Sequence, residues 1–436
     1  LPVPRGGAAD VGLLLLFGVF FGTMIAGVPV AFALGLATVA GFLYAGIPLY
    51  VAFQRVMSGV SVFSLLAIPF FIFAGDLMMQ GGIATRLVRL AAAAVGSVRG
   101  GLGLVNVFAS MLFGGISGSA VADTSALGSI LIPVMKEKGY DGDYAVNVTV
   151  TSSVAGVVIP PSHNMILFSV AAGGVSVSSL FIAGIVPGIL MCLCLAIAAY
   201  VVAVRRGYGG ETFPGIRALA LSFVVAIPGL LTAVIIVGGV LSGVMTVTES
   251  GAFGAIWALL VTAFVYRELS WDGFKAAVLG AVRTTSLVMI LVATASAFAY
   301  LLALYRVPEA LAGTLTAISS DPIVILLMLN VILLALGCIM DMAALILITT
   351  PIFLPVVRDL GMDPIQFGIV MMMNLGLGLT TPPVGACLFV GCAIGRVRIE
   401  TAVRTIWPFY LAILVALMLT TYVPAISMTL PNLFRT

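Results

Sequence analysis

The chain has 436 residues, 62% of them hydrophobic and 8% charged, with a formal charge of +3 and a mean hydropathy of +1.27. A soluble domain carries about 25% charged residues, so this composition excludes a water-covered globule and predicts an integral membrane protein with many spans. The small net charge and the lack of a basic cluster interleaved with aromatics leave no nucleic-acid partner.

Long apolar runs without strand-like alternation predict helices, not a barrel. The 49 glycines and 21 prolines predict close helix packing and deliberate helix breaks. The chain begins LPVPRGGAAD, without Met, and its first apolar run reads as a span, not a cleaved signal. That run is Val11 to Ala26; GVP at 27–29 breaks it, and Val30 to Ile47 follows. A short loop is expected over Pro48 to Arg55, then a third segment, Val60 to Met79, kinked by Pro69 and carrying Asp76 near its end. Ala84 to Val98 is alanine-rich and places Arg86 and Arg89 on one helix face. It reads as an arm lying on the membrane lipid surface, or as a tilted span with snorkelling arginines.

Gly101 to Met111 and Val121 to Met135 are each shorter than the roughly 20 residues a crossing needs, and they flank GGISGSA. They predict a re-entrant hairpin. Tyr144 to Val158 and Met165 to Ala172 are again short pieces, broken at IPPSHN, before a full span at Leu180 to Val204. Gly207 to Arg217 is the polar connector, and Ala218 to Val240 is long and apolar.

A second half then repeats the first. Adding 222 carries Gly115 onto Gly337, Pro133 onto Pro355, Gly139 onto Gly361, Asp141 onto Asp363 and Pro161 onto Pro383. This register projects the first three segments onto Ala233 to Thr248, Ala252 to Leu269 and Val282 to Leu301, and the arm onto Pro308 to Ser320. Pro322 to Leu336 and Met342 to Pro355 flank GCIMD as a second hairpin. Ile365 to Leu377 and Val384 to Ile394 flank LTTPPVG, and Val403 to Val423 is the last span. About 11 to 13 crossings and two hairpins are expected.

Broken backbone inside lipid is tolerated only where protein or a cavity receives its polar groups. Four breaks at repeat-related places therefore predict a central site, with half-helix N-termini facing an anion and carbonyls and hydroxyls facing sodium. Ser117, Ser119, Ser162, Thr380 and Thr381 supply hydroxyls. Asp123 and Asp341 follow the two hairpin turns, but Asp123 projects onto Leu345, so the acids are not equivalent; either could cap a half-helix or hold an ion. Asp76 and Glu249 read as acids near an interface. His163 is the lone histidine, and Cys192, Cys194, Cys338, Cys387 and Cys392 read as small hydrophobes. No zinc, phosphate-loop or completed hydrolase motif is present, so the chain reads as no enzyme, with no cofactor and no transition metal.

GGISGSAVAD, IPVMKEKGYD, VVIPPSHNMI, SLFIAGIVPGIL, PIFLPVVRDLGMDP and LTTPPVG, in this order, resemble the large membrane subunit of tripartite ATP-independent periplasmic (TRAP) transporters. The resemblance covers nearly the whole chain. It implies an all-α polytopic protein with inverted repeats and an elevator architecture, in the bacterial inner membrane. It also implies sodium-coupled uptake of an organic carboxylate, with a periplasmic substrate-binding protein and a small four-helix membrane subunit as partners. No small-subunit-like helices precede the first span, which implies the separate-subunit form; a self-sufficient sodium/carboxylate symporter is the alternative. Carried over by motif, one sodium site comprises Ser117, Gly118, Ser119, Pro160 and Ser162, and a second Gly337, Asp341, Thr380, Thr381 and Pro382. Substrate contacts fall on Gly115, Ser119, Pro161, Ser162, Asn164, Met340, Pro383 and Gly385. The implied units are scaffold helices and arm (11–99), a transport unit with hairpin (100–175), a span (176–206) and a connector (207–232). They repeat as scaffold and arm (233–320), transport unit (321–395) and terminal span (396–426).

Overall fold

The computed structural model describes residues 7–434, with side chains from Asp10 onward except at position 116; residues 1–6 of the opening LPVPRG lie outside it. The described residues are helical throughout, with no strand among them. The first half contains α1 (Gly7–Ile25), α2 (Val30–Tyr44), α3 (Leu49–Val60), α4 (Ala67–Gln80, entered by a 3-10 turn at Phe63–Leu66) and α5 (Ile83–Val95). It continues with α6 (Gly101–Ser117), α7 (Ala120–Glu137), α8 (Gly142–Ser152), α9 (Ala155–Val158), α10 (His163–Ala171) and α11 (Val177–Arg205). The second half contains α12 (Ile216–Leu241), α13 (Val247–Leu260, extended by a π turn at Val261–Val265), α14 (Trp271–Leu304), α15 (Val307–Ile318), α16 (Pro322–Gly337) and α17 (Met342–Asp359). It ends with α18 (Pro364–Gly378), α19 (Ala386–Gly395), α20 (Ile399–Thr405), α21 (Trp407–Tyr422) and α22 (Pro424–Phe434).

Among the described residues six helices are long and apolar enough to cross a membrane, or up to eight if each of two bent pairs is one span. This is fewer than the expected 11 to 13, because many apolar helices here run only 10–17 residues. The hairpin arms are longer than expected; α7 and α17 each have 18 residues, and of the two only α17 is also apolar enough for a crossing, although it is largely buried in protein. The expected loop over 48–55 is instead α3, begun at the fixed backbone of Pro48. Pro69 does not kink an interior: it sits in the first turn of α4, where no earlier carbonyl needs its missing N–H.

The 222-residue register is written into the helix boundaries. It carries both ends of α7 onto both ends of α17, the start of α11 onto the start of α20, and the start of α3 onto the start of α14. It also relates the two cis prolyl bonds, Pro160–Pro161 and Pro382–Pro383. The gap at Ser61–Val62 between α3 and α4 has no counterpart; α14 runs unbroken through the equivalent residues. Upstream the projection fails. Ala233 to Thr248 spans the end of α12 and the following turn, and the boundary at 232/233 falls inside α12. There the register is 217, carrying the start of α2 onto the start of α13, and the difference of five is the length of the π turn Val261–Val265. The long apolar α12 is therefore the counterpart of α1, not an extra connector.

Packing between the halves is reciprocal. Gly12 of α1 faces Tyr305, at the C-terminal cap of α14, while its counterpart Gly229 of α12 faces Ile83, the counterpart of Tyr305. A Cβ at Gly12 would stand 2.6 Å from the Tyr305 hydroxyl oxygen, and one at Gly229 2.8 Å from Ile83. α2 packs on α14 and α13 on α4; α7 packs on α19 and α17 on α10. Equivalent hydrogen bonds tie α8 and α18 to the last spans: the Tyr144 hydroxyl donates to the Ala199 carbonyl at 3.0 Å, and Gln366 Nε2 donates to the Thr420 and Thr421 carbonyls at 3.0 Å each. A bend of 52° separates α8–α9 from α10, and one of 56° separates α20 from α21.

α5, the arginine-bearing helix, buries Ile83, Ala84, Leu87, Val88, Leu90, Ala91 and Ala93. Arg86 pairs with Glu268 at 2.8 Å and stacks 3.8 Å from the centroid of the Tyr266 ring. The Arg86 guanidinium, by hydrogen bonding, holds the Glu268 carboxyl below its ordinary range.

Candidate functional site: a cavity at the helix breaks

Each hairpin is seated by a backbone approach that only glycine permits. A Cβ on Gly114 of α6 would stand 2.8 Å from the Cα of Gly156 in α9. In the second half a Cβ on Gly378, at the end of α18, would stand 2.6 Å from the carbonyl carbon of Gly337 in α16. One turn deeper, asparagines close the same contacts with polar bonds. Asn106 Oδ1 accepts from Ser152 Oγ at 3.2 Å, and Asn374 Nδ2 donates to Asn330 Oδ1 at 2.8 Å. The first break is thereby pressed against the first hairpin, and the second against the second.

The turns themselves differ. The first is Gly118–Ser119: Gly118 holds φ at +61°, a left-handed value costly for any residue with a Cβ. Ser119 is then the N-cap of α7, its hydroxyl oxygen accepting from Ala122 N at 3.4 Å. Ser117 Oγ lies within 3.5 Å of the Ser119 carbonyl, and Asn164 Nδ2 donates to the Gly118 carbonyl at 3.4 Å. The second turn runs 338–341. Asp341 is the N-cap of α17, accepting from Ala343 N at 3.0 Å, and Val384 N at the second break donates to the Cys338 carbonyl at 3.0 Å.

These elements enclose a cavity of about 590 Å³. Three helix N-termini open onto it: Ser119 to Ala122 of α7, His163 and Asn164 of α10, and Asp341 to Ala344 of α17. Pro29 to Ala31 of α2, Asp76 of α4, and Thr284, Leu287 and Val288 of α14 complete the lining, and among the described residues no lysine or arginine lines it. Free N–H groups and aligned peptide dipoles at a helix start favour an anion. Three such starts converge on this one cavity.

Of the expected site residues, Ser117, Ser119, Asn164 and Asp341 reach this cavity. Gly115, Gly118, Pro160, Pro161, Ser162, Gly337, Met340, Thr380, Thr381, Pro382, Pro383 and Gly385 do not line it; they build the turns and breaks behind it. Thr380 and Thr381 hydroxyls donate to the Leu377 carbonyl at 2.7 and 2.8 Å, which leaves their oxygen lone pairs free to accept or to ligate. Ser162 Oγ is fully buried with no hydrogen-bond partner. Asp341 does cap its helix; Asp123 does not, standing in the interior of the first turn of α7, fully buried, with neither oxygen hydrogen-bonded. Glu249 is away from the site, closing a capping box with Thr246. Asp76, expected near an interface, lines the cavity. An aspartate in the apolar run AIPFFIFAGDLMM was the available signal. Among the described residues no group of three His, Cys, Asp or Glu side chains is placed to hold a metal ion.

A polytopic helical membrane protein whose broken helices gather their N-termini around one cavity has the construction of a secondary transporter. The family described as tripartite ATP-independent periplasmic transporter, DctM component, matches residues 17–426, and the chain belongs to it. It is a transporter permease, not an enzyme, and a multi-pass protein of the inner membrane. Over 97% of its length it is 42% identical to the Salmonella typhimurium protein YgiK, of which it covers 98%. It is 35% identical to the C4-dicarboxylate TRAP transporter large permease of Rhodobacter capsulatus (96% of this chain, 99% of that one) and 36% identical to the sialic acid large permease of Vibrio cholerae (96% and 98%). Among solved structures, the YdaH transporter of Alcanivorax borkumensis shares the fold at a TM-score of 0.64 and 13% identity, over 95% of this chain and 98% of that one.

Proposed function

We propose that the chain is the large membrane subunit of a TRAP system and couples sodium entry to uptake of an organic carboxylate. The observation that carries this reading is the convergence of the α7, α10 and α17 N-termini on one cavity. The relatives' named substrates, C4-dicarboxylate and sialic acid, are acids, which fits such a site. A small four-helix membrane subunit and a periplasmic binding protein complete the system, and sodium is its only inorganic ligand.

Sodium takes compact oxygen sets. The first turn supplies Ser117, Gly118 and Ser119, backed by Pro160 and Ser162, whose unpartnered buried hydroxyl is suited to an ion. The second supplies Gly337 and Asp341, backed by Thr380, Thr381 and Pro382. Sodium bound at these turns adds positive charge beside the anion, so each ligand raises the affinity for the other. The reciprocal packing of the halves supports an inverted repeat, with the hairpin-bearing units (100–175 and 321–395) moving as an elevator against the scaffold (11–99 and 233–320). The test is uptake by the reconstituted complex with its binding protein under an imposed sodium gradient. Carboxylates accumulate and matched neutral analogues do not; equal uptake without sodium, or of neutral analogues, refutes the proposal.

A further inference from the structure

We propose that Asp76 makes the cavity selective for acids whose far end carries a hydrogen-bond donor, an ammonium or hydroxyl group, over acids with a second carboxylate. The inference rests on the anion-site reading above and names the class of anion. Asp76 lies on α4 and lines the same cavity as the three N-termini, and its carboxylate makes no hydrogen bond or ion pair among the described residues. It reaches the cavity because α14 offers it a gap. Gly280 has no side chain, and a Cβ there would stand 2.7 Å from Asp76 Oδ2. Thr284, one helical turn on, lines the cavity beside it. Among the described residues no lysine or arginine lines the cavity to neutralise the carboxylate.

The cavity therefore presents two chemistries. The helix starts offer a carboxylate N–H groups, and there the charge of Asp341 is the one sodium compensates in the reading above; Asp76, on α4, presents an acceptor with no donor of its own. A substrate that spans both satisfies each with one headgroup and one donor. A dicarboxylate that reaches Asp76 sets its second charge against it, and like charges brought together are disfavoured. At about 590 Å³ the cavity also has room for a molecule larger than a four-carbon acid together with water.

The experiment measures binding to the purified protein in lipid nanodiscs, with sodium present, by titration calorimetry and by thermal unfolding. The probes are matched four- and six-carbon sets: succinate, butyrate, 4-hydroxybutyrate and 4-aminobutyrate; adipate, hexanoate, 6-hydroxyhexanoate and 6-aminohexanoate. In the native chain the amino and hydroxy acids bind at least ~10-fold more tightly than the dicarboxylate of equal length. Asp76→Asn narrows that ratio to within about threefold. Gly280→Ala, whose methyl group displaces the carboxylate, narrows it too and provides a second route should the asparagine variant be unstable. Dicarboxylates preferred by the native chain, or an order unchanged in both variants, overturn the role of Asp76 while leaving the anion site standing. Binding of none of the acids overturns the anion reading itself.

Discussion

The two hairpins share a backbone and differ in chemistry. Both seat a glycine pair against a break, both sit beside a Pro-Pro bond, and the second arm of each packs on the helix after the other half's break. At the turn, however, the first presents Ser117 and Ser119 around a left-handed glycine, and the second a carboxylate, Asp341. The two halves thus share what fixes the main chain, where a methyl group more is a collision, and differ in their oxygen donors. The first turn offers neutral oxygens; the second brings a negative charge that sodium can compensate.

The contrast is sharpest at one pair of equivalent glycines. Gly378→Ala forces a Cβ to 2.6 Å from backbone that cannot yield, whereas at Gly156 the nearest atom, the Ser119 carbonyl oxygen, is 3.4 Å away. We expect Gly378→Ala to destabilise the protein by about 3 kcal/mol, and Gly156→Ala to fall within about 1 kcal/mol of the native protein. Thermal unfolding in detergent compares them, and equal losses would show that the two locks are equally tight.

Removing the caps comes next. Ser119→Ala and Asp341→Ala each lose an N-cap bond, about 0.5–2 kcal/mol. If the turns bind sodium, half-saturating sodium for transport also rises, by roughly 5–30-fold for Ser119→Ala. Asp341→Asn separates the two effects: the cap survives, and only sodium activation shifts. Unchanged sodium activation in stable variants of both turns would remove them from the coupling site.

The paired bonds to the last spans give a smaller difference. Tyr144→Phe deletes one hydrogen bond, at a cost of about 1 kcal/mol. Gln366→Leu deletes two and leaves the Thr420 and Thr421 carbonyls unpaired, and should cost about twice as much. Equal unfolding temperatures for the two variants would contradict the geometry.

Smallest is the Arg86–Glu268 pair. Because the folded-state pKa of Glu268 is lowered, its contribution is present above the ordinary value of 4.5 and disappears as pH falls below it. Glu268 is half exposed, so the loss should stay within about 1 kcal/mol. The difference in unfolding temperature between native protein and Glu268→Gln should vanish on acidification from neutrality to below pH 4.5, and a difference that grows would reverse the sign.

Most of this architecture was legible as spacing. Glycine and proline punctuate the chain because broken helices need them, so the shift of 222 located α7 and α17 and both Pro-Pro bonds. The same rigid shift misplaced α12, because the stretch from the start of α13 to the start of α14 is five residues longer than that from α2 to α3, and extra length leaves no mark on an apolar run. α3 was hidden for the opposite reason: Gln54 and Arg55 give it the polarity of a loop while its backbone is helical. Ser117, Ser119, Asn164 and Asp341 were findable because polar residues at breaks have few other duties. Asp76 stood out as an acid in an apolar run, but its place in the cavity did not, since the carboxylate packs against the missing side chain of Gly280, some 200 residues away on a neighbouring helix.

The central claim is that helix N-termini and sodium-bearing turns hold one anion together. The most direct test is the dissociation constant of an organic carboxylate for the nanodisc-embedded protein, measured at low and saturating sodium with ionic strength held constant by choline. The account predicts at least about fivefold tighter binding in sodium, with the reciprocal tightening of sodium by the acid. The same constant in choline and in sodium would contradict it.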